Sequence, residues 1–220
     1  MSDIRGVVHG GSGNVRAGRD AFRGVAITPS GSVFGNTYLD MLAREGRIFV
    51  AGDSTLVATI TGRTSIATTT PDLLLSVPSG TIALPLWLNL AQTGTVAGGE
   101  ITVHIEMDNA NRYTSGGTVE TVLSSRTDNP VTNASTLYSS SSAITATDAY
   151  GMGLWHGEFI QDVDPAVADD FNWHNWEWTP RFPVYIVGPG AFLVYTGAAT
   201  TGASYYWNLA WAEIPNTELN

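Results

Sequence analysis

The chain contains no cysteine, which excludes both a disulfide framework and a thiolate zinc site. Lysine is missing too, so all ten basic residues are arginine. No apolar stretch in the 220 residues is long enough to span a bilayer, and residues 1–24 hold no unbroken apolar run of signal-peptide length. Synthesis in the cytoplasm without export is the expected course. HExxH, HxH and GxSxG sequences are absent, as are a Walker loop and a GxGxxG segment following a strand. Gly10, Gly11 and Gly13 open no strand–helix unit and supply only flexibility. The four histidines, His9, His104, His156 and His174, are scattered, so a histidine metal site would have to be assembled from distant strands.

What is abundant points to strands and turns. There are 24 Gly, 10 Pro and 26 Thr, a mixture that favours β-structure joined by tight turns. In the last apolar segment Tyr205, Trp207, Leu209 and Trp211 occupy alternate positions, the period of a strand and not of a helix. Ile101, Val103, Ile105 and Met107 alternate in the same way with Thr102, His104, Glu106 and Asp108, which predicts an antiparallel strand with one wet face. Leu84, Leu86, Leu88 and Leu90 are expected on one face of another strand, opposite Pro85, Trp87 and Asn89. Pro85 there argues for an edge or a bulge. Further strands are expected at 47–50, 56–61, 118–124, 143–147 and 153–161, with Gly52 and Asp53 as a hairpin turn between the first two. Residues 124–142, rich in Ser, Thr and Asn, read as a long surface loop. Only residues 36–46 have helical spacing, ending on Gly46.

Strands in series without helix–strand alternation exclude βαβ topology and leave a sandwich or a barrel. The long irregular links at 124–142 and 162–180 favour connections that cross between sheets. The expected fold is therefore all-β, a jelly-roll-type antiparallel β-sandwich, with an immunoglobulin-like sandwich as the runner-up. It comprises an extended Gly/Arg-bearing arm over 1–24, one domain over 25–215 with at most one short helix, and a tail over 216–220.

Charge is divided along the chain. Through Arg63 there are seven Arg against five acids, and beyond it three Arg against fifteen. An acidic body of this kind repels phosphates, so no nucleic-acid partner is expected, and no membrane partner either. Arg5, Arg16, Arg19 and Arg23 in the arm suit bidentate contact with carboxylates of a neighbouring subunit. The plainer reading is a solvated, frayed terminus.

Two clusters carry chemistry of their own. Asp162, Asp164, Asp169 and Asp170 offer hard oxygen ligands for calcium, but at a spacing unlike an EF-hand loop; an acidic surface loop is the simpler alternative. Trp173, Trp176 and Trp178 suit glycan stacking or a subunit contact if exposed, and core packing if Trp176 and Trp178 share an inward strand face. No catalytic set emerges, so no enzyme activity and no cofactor are expected.

The segment TTTPDLLLSVPSGTIALPLWLNLAQTG and the later GPGAFLVYTGAATTGASYYWNLAWAEIP resemble the jelly-roll structural proteins of tailed-bacteriophage virions, the capsid decoration or cement proteins. Thr70 with Pro71, Val77 to Gly80, Pro85, and Trp211 to Pro215 carry that resemblance. It implies a non-enzymatic virion protein on the capsid surface, a homotrimer whose partners are the major capsid protein and its own copies. Other readings are a receptor- or glycan-binding module of a tail fibre or lectin-like protein and, from a different virus class, a shell protein.

Overall fold

Strict alternation in the sequence produces the longest strands, because successive side chains of an extended chain leave on opposite faces. The computed structural model describes residues 38–52, 59–93, 99–140, 143–147, 151–161, 175–198 and 203–218. Eight strands form the frame: β1 (Ile48–Gly52), β2 (Leu73–Val77), β3 (Thr81–Thr93), β4 (Gly99–Asp108), β5 (Met152–Gln161), β6 (Asn175–Trp178), β7 (Gly190–Ala198) and β8 (Ser204–Pro215). The predicted arm over residues 1–24 lies outside the described residues.

The strands form two sheets of a β-sandwich. One sheet runs β6-β3-β8-β1 and the other β5-β4-β7-β2, with every one of these pairings antiparallel. In the pairs β1·β8, β2·β7, β3·β6 and β4·β5 the strand numbers sum to nine, as in one long hairpin with β1–β4 going out and β5–β8 returning. The contacts β3·β8 and β4·β7 roll that ladder into two layers. Short strands lengthen the edges: Leu123–Ser124 beyond β1, and Thr136–Ser139 then Thr118–Val119 beyond β2.

The main core lies between the sheets. Phe49, Leu88, Trp207 and Leu209 of the first meet Leu75, Val103, Ile105 and Phe192 of the second, all buried. Burying each such side chain stabilises the fold by roughly 1.5–3 kcal/mol. Both outer faces are also partly covered. Helix α1 (Tyr38–Arg44) places Leu42 on Ile82, Leu84, Ala212 and Ile214 of the first sheet. On the second sheet, Ile144, Ala146 and Tyr113 cover Leu74, Leu193 and Tyr195. This double cover explains why β7 is buried at every position and shows no alternation in its sequence.

The helix stops where the sequence says it must. Gly46 takes φ +73°, its N–H bonds to the Ala43 carbonyl, and the Arg47 N–H bonds to the Leu42 carbonyl. That is a Schellman turn, which any residue with a Cβ would strain.

Five local expectations need correction, two of them in bounds: the strand expected over 118–124 is two short strands on different sheets, Thr118–Val119 and Leu123–Ser124, and the link expected over 162–180 contains β6. The four leucines of β3 do not share a face: Ala210 pairs with Trp87 and Trp211 with Pro85, so Leu86 is the extra residue of a bulge. Leu84 and Leu86 consequently turn toward the helix, while Leu88 and Leu90 enter the core. Pro85 lies beside a gap, because β6 pairs with residues 88–91 and Ile186–Val187 with 82–83, so its missing N–H leaves no carbonyl without a donor. The strands expected to pair across a turn at Gly52 and Asp53 do not pair with each other among the described residues, which leave out Asp53: β1 and the short strand Ile60–Thr61 follow one another along the same edge of β8. Finally, the segment read as a surface loop, 124–142, contains the strand Thr136–Ser139, which pairs with β2 and buries Leu137. Four scattered apolar residues in a Ser/Thr-rich stretch, Val131, Ala134, Leu137 and Tyr138, are too weak a signal for periodicity to register.

Candidate functional site

Strand β5 is the edge of the second sheet, and its register on β4 sets His156 directly opposite His104. Val103 and Ile105 point into the core, so His104 and Glu106 lie on the outer face, as the alternation predicts. The two imidazoles meet with Nδ1 atoms 3.3 Å apart and ring planes at 66°. Each ring is held at its far nitrogen by a carboxylate two residues along its own strand. His104 Nε2 lies 2.6 Å from Glu106 Oε1, and His156 Nε2 lies 3.0 Å from Glu158 Oε1. His104 is the sheltered member, with its side chain 23% exposed against 51% for His156. Behind His104 stands the ring of Tyr195 on β7, at a centroid distance of 6.3 Å.

A second feature lies at one end of the sandwich. Met107, Asp108, Asn109, Met152, Tyr185, Ile186 and Val187 line a cleft of about 350 Å³. Met152 is 63% exposed, Val187 51% and Tyr185 42%. Phe182, earlier in the same segment, is exposed as well. Large apolar side chains held in water on one segment mark a contact surface more often than chance.

Buried acids form a third group, and two of them are fully occupied with structural work. Glu213 Oε1 accepts hydrogen bonds from Ser135 N (3.0 Å) and Trp211 Nε1 (2.9 Å), and its Oε2 accepts one from Ala134 N (2.6 Å). This carboxylate ties the irregular 125–135 segment to β8. Asp108 Oδ1 receives the backbone N–H of Ala110 at 3.0 Å and the Arg112 guanidinium at 3.1 Å, and its Oδ2 is ion-paired with Arg112 Nε at 2.9 Å. Asp72 is different. Its Oδ2 accepts from Thr196 N (2.6 Å) and Thr196 Oγ1 (2.8 Å), yet its Oδ1 has no partner. Burial pushes its carboxyl up to about 6, against the Thr196 bonds and the Arg63 charge, which pull the other way. Burial, helped by the charge of Asp72, likewise pushes the Tyr205 hydroxyl upward.

The residues singled out from the sequence fare unevenly. Trp176 and Trp178 both turn inward on β6: Trp178 is buried against Phe192, and the Trp176 ring meets Trp155 edge to face at 4.3 Å. Trp173 lies outside the described residues. So do Arg5, Arg16, Arg19, Arg23, Asp162, Asp164, Asp169 and Asp170, together with His9 and His174. Among the described residues no three His, Asp or Glu side chains converge to hold a metal ion. The histidine pair was the feature missed in the sequence. Its trace is a repeated His-x-Glu, at 104–106 and 156–158, on the outward positions of two strands; only the register shows that they adjoin.

No family model, curated protein or solved structure matches this chain.

Proposed function

We propose that this chain is a non-enzymatic structural protein of a virion, a jelly-roll decoration protein that binds the outside of a capsid and bridges neighbouring capsomers. The observation that carries the reading is the exposed apolar cleft of Met152, Tyr185 and Val187 on an otherwise acidic body. Such a surface suits association with copies of the same chain, in a trimer, and with the shell beneath. The strand order supports the jelly-roll assignment, since a rolled hairpin ladder of eight strands is what that architecture requires. The Arg-bearing segment 1–24 supplies guanidinium groups for carboxylates on the capsid. The glycan-binding alternative loses ground, because Trp176 and Trp178 face the core and leave it only Trp173 and the acidic residues between 162 and 170.

The test uses purified capsids and the full chain beside a variant lacking residues 1–24. Deletion is expected to abolish co-sedimentation with capsids while the β-type circular dichroism spectrum persists. Undiminished binding by the truncated protein would sink the role given to the arm. Failure of the full chain to bind any capsid surface would sink the decoration reading itself.

A further inference from the structure

We infer that His104 and His156 form a two-histidine binding site for a divalent transition-metal ion of the zinc class, ligated through both Nδ1 atoms. The inference stands apart from the virion reading and rests on three features of the quartet.

The first is proton placement. Ionised carboxylates only accept hydrogen bonds, so Glu106 at 2.6 Å and Glu158 at 3.0 Å each fix a proton on the Nε2 they face. Both Nδ1 atoms are then left with lone pairs, and these sit 3.3 Å apart. Two acceptors at that distance repel unless something positive lies between them. Either a shared proton or a metal ion meets that requirement.

The second is distance. A tetrahedral zinc ion with bonds of about 2.05 Å holds two nitrogen ligands roughly 3.3 Å apart. The observed Nδ1–Nδ1 separation of 3.3 Å needs no closing or opening of the pair.

The third is the outer shell. Metal-bound imidazoles usually donate their remaining N–H to a carboxylate, which fixes the tautomer and raises ligand basicity. Here both rings have that partner already, and each comes from the ring's own strand. His104 and Glu106 are held by pairing on both sides of β4, to β5 and to β7. The ligand set is thus preorganised on sheet, not on loop. The remaining two coordination positions open toward solvent at His156, where water or a donor from a second molecule completes the tetrahedron.

The experiment is a zinc titration of the full chain at neutral pH, by calorimetry, with the imidazole nitrogens followed by ¹⁵N NMR. One ion per chain and shifts assigning the metal to Nδ1 of both rings are expected. His156→Ala, at the exposed position, should weaken binding at least tenfold. Glu106→Gln, which keeps both ligands but loses the outer-shell charge, should weaken it roughly ten- to a hundredfold. Zinc binding that is unaltered in His156→Ala overturns the inference, as does metal at Nε2 or an absence of any histidine shift in the wild-type chain. The wild-type NMR readout remains decisive even if a variant fails to fold.

Discussion

Replacing Asp72 by Asn isolates what one buried carboxyl does to this sandwich. The amide keeps the side chain's shape and the oxygen that accepts from Thr196 N and Oγ1, and it removes the ionisation. In the folded protein the carboxyl titrates near 6, against 3.8 for the same group in an unfolded chain. Between those values the folded state binds more protons than the unfolded one, so stability falls as pH rises through that window. Below about pH 4 Asp72 imposes nothing, and above about pH 6 it imposes its full penalty. At 1.36 kcal/mol per pH unit the difference amounts to roughly 3 kcal/mol. Urea unfolding of both proteins from about pH 4 to pH 7, followed by tryptophan fluorescence, measures it directly. Subtracting one profile from the other cancels the other carboxylates, which titrate alike in both. The variant is expected to gain on the wild type by up to about 3 kcal/mol across the window, most steeply between pH 4 and 6. A difference that does not change with pH would refute the assignment of a desolvated, proton-retaining Asp72.

Two other substitutions test packing and surface separately. Glu213→Ala strands two buried donors, Ser135 N and Trp211 Nε1, releases Ala134 N at an exposed residue, and should destabilise by about 2–5 kcal/mol in urea unfolding. Glu213→Gln, which retains one accepting oxygen, should lose clearly less. Replacing Met152 and Tyr185 together by Ser should change stability by less than about 1 kcal/mol, since both are exposed. The same double variant should reduce self-association in sedimentation velocity. Unchanged association would remove the cleft from the contact surface.

The fold was legible wherever one sheet face is wet. Ile101 to Asp108 alternates and became β4; the spacing that ends at Gly46 became the helix. Where both faces are covered, as along Gly190–Ala198, alternation disappears and the strand is read from its apolar run alone. A bulge defeats periodicity altogether: inserting Leu86 as an extra residue reversed the faces on either side of it, and no local pattern announces which residue of Leu84 to Leu90 is the extra one. The candidate site was illegible for another reason. His104 and His156 belong to strands that are far apart in the chain, and their meeting depends on a register shift between Gly153 and Trp155 that no residue type encodes. Trp176 and Trp178 were readable only as alternatives, a glycan or subunit contact or an inward pair, because the segment 162–180 that holds them read as an irregular link; the short strand Asn175–Trp178 turns both rings inward.

The rolled ladder also governs how the chain reaches this state. Strand β8 is the last of the eight to leave the ribosome, yet it lies between β3 and β1, joining Ala212 to Ile48 and Ile214 to Ile82. Until it arrives, the first sheet has no middle, and β1 and β3 carry unsatisfied ladder edges. Non-local pairing of this kind requires loop closure before any contact rewards it, which makes folding slow. The growing chain therefore cannot complete its sandwich strand by strand during synthesis. It folds once its final strand is available, and in that interval its open edges are the part most in need of protection from other chains.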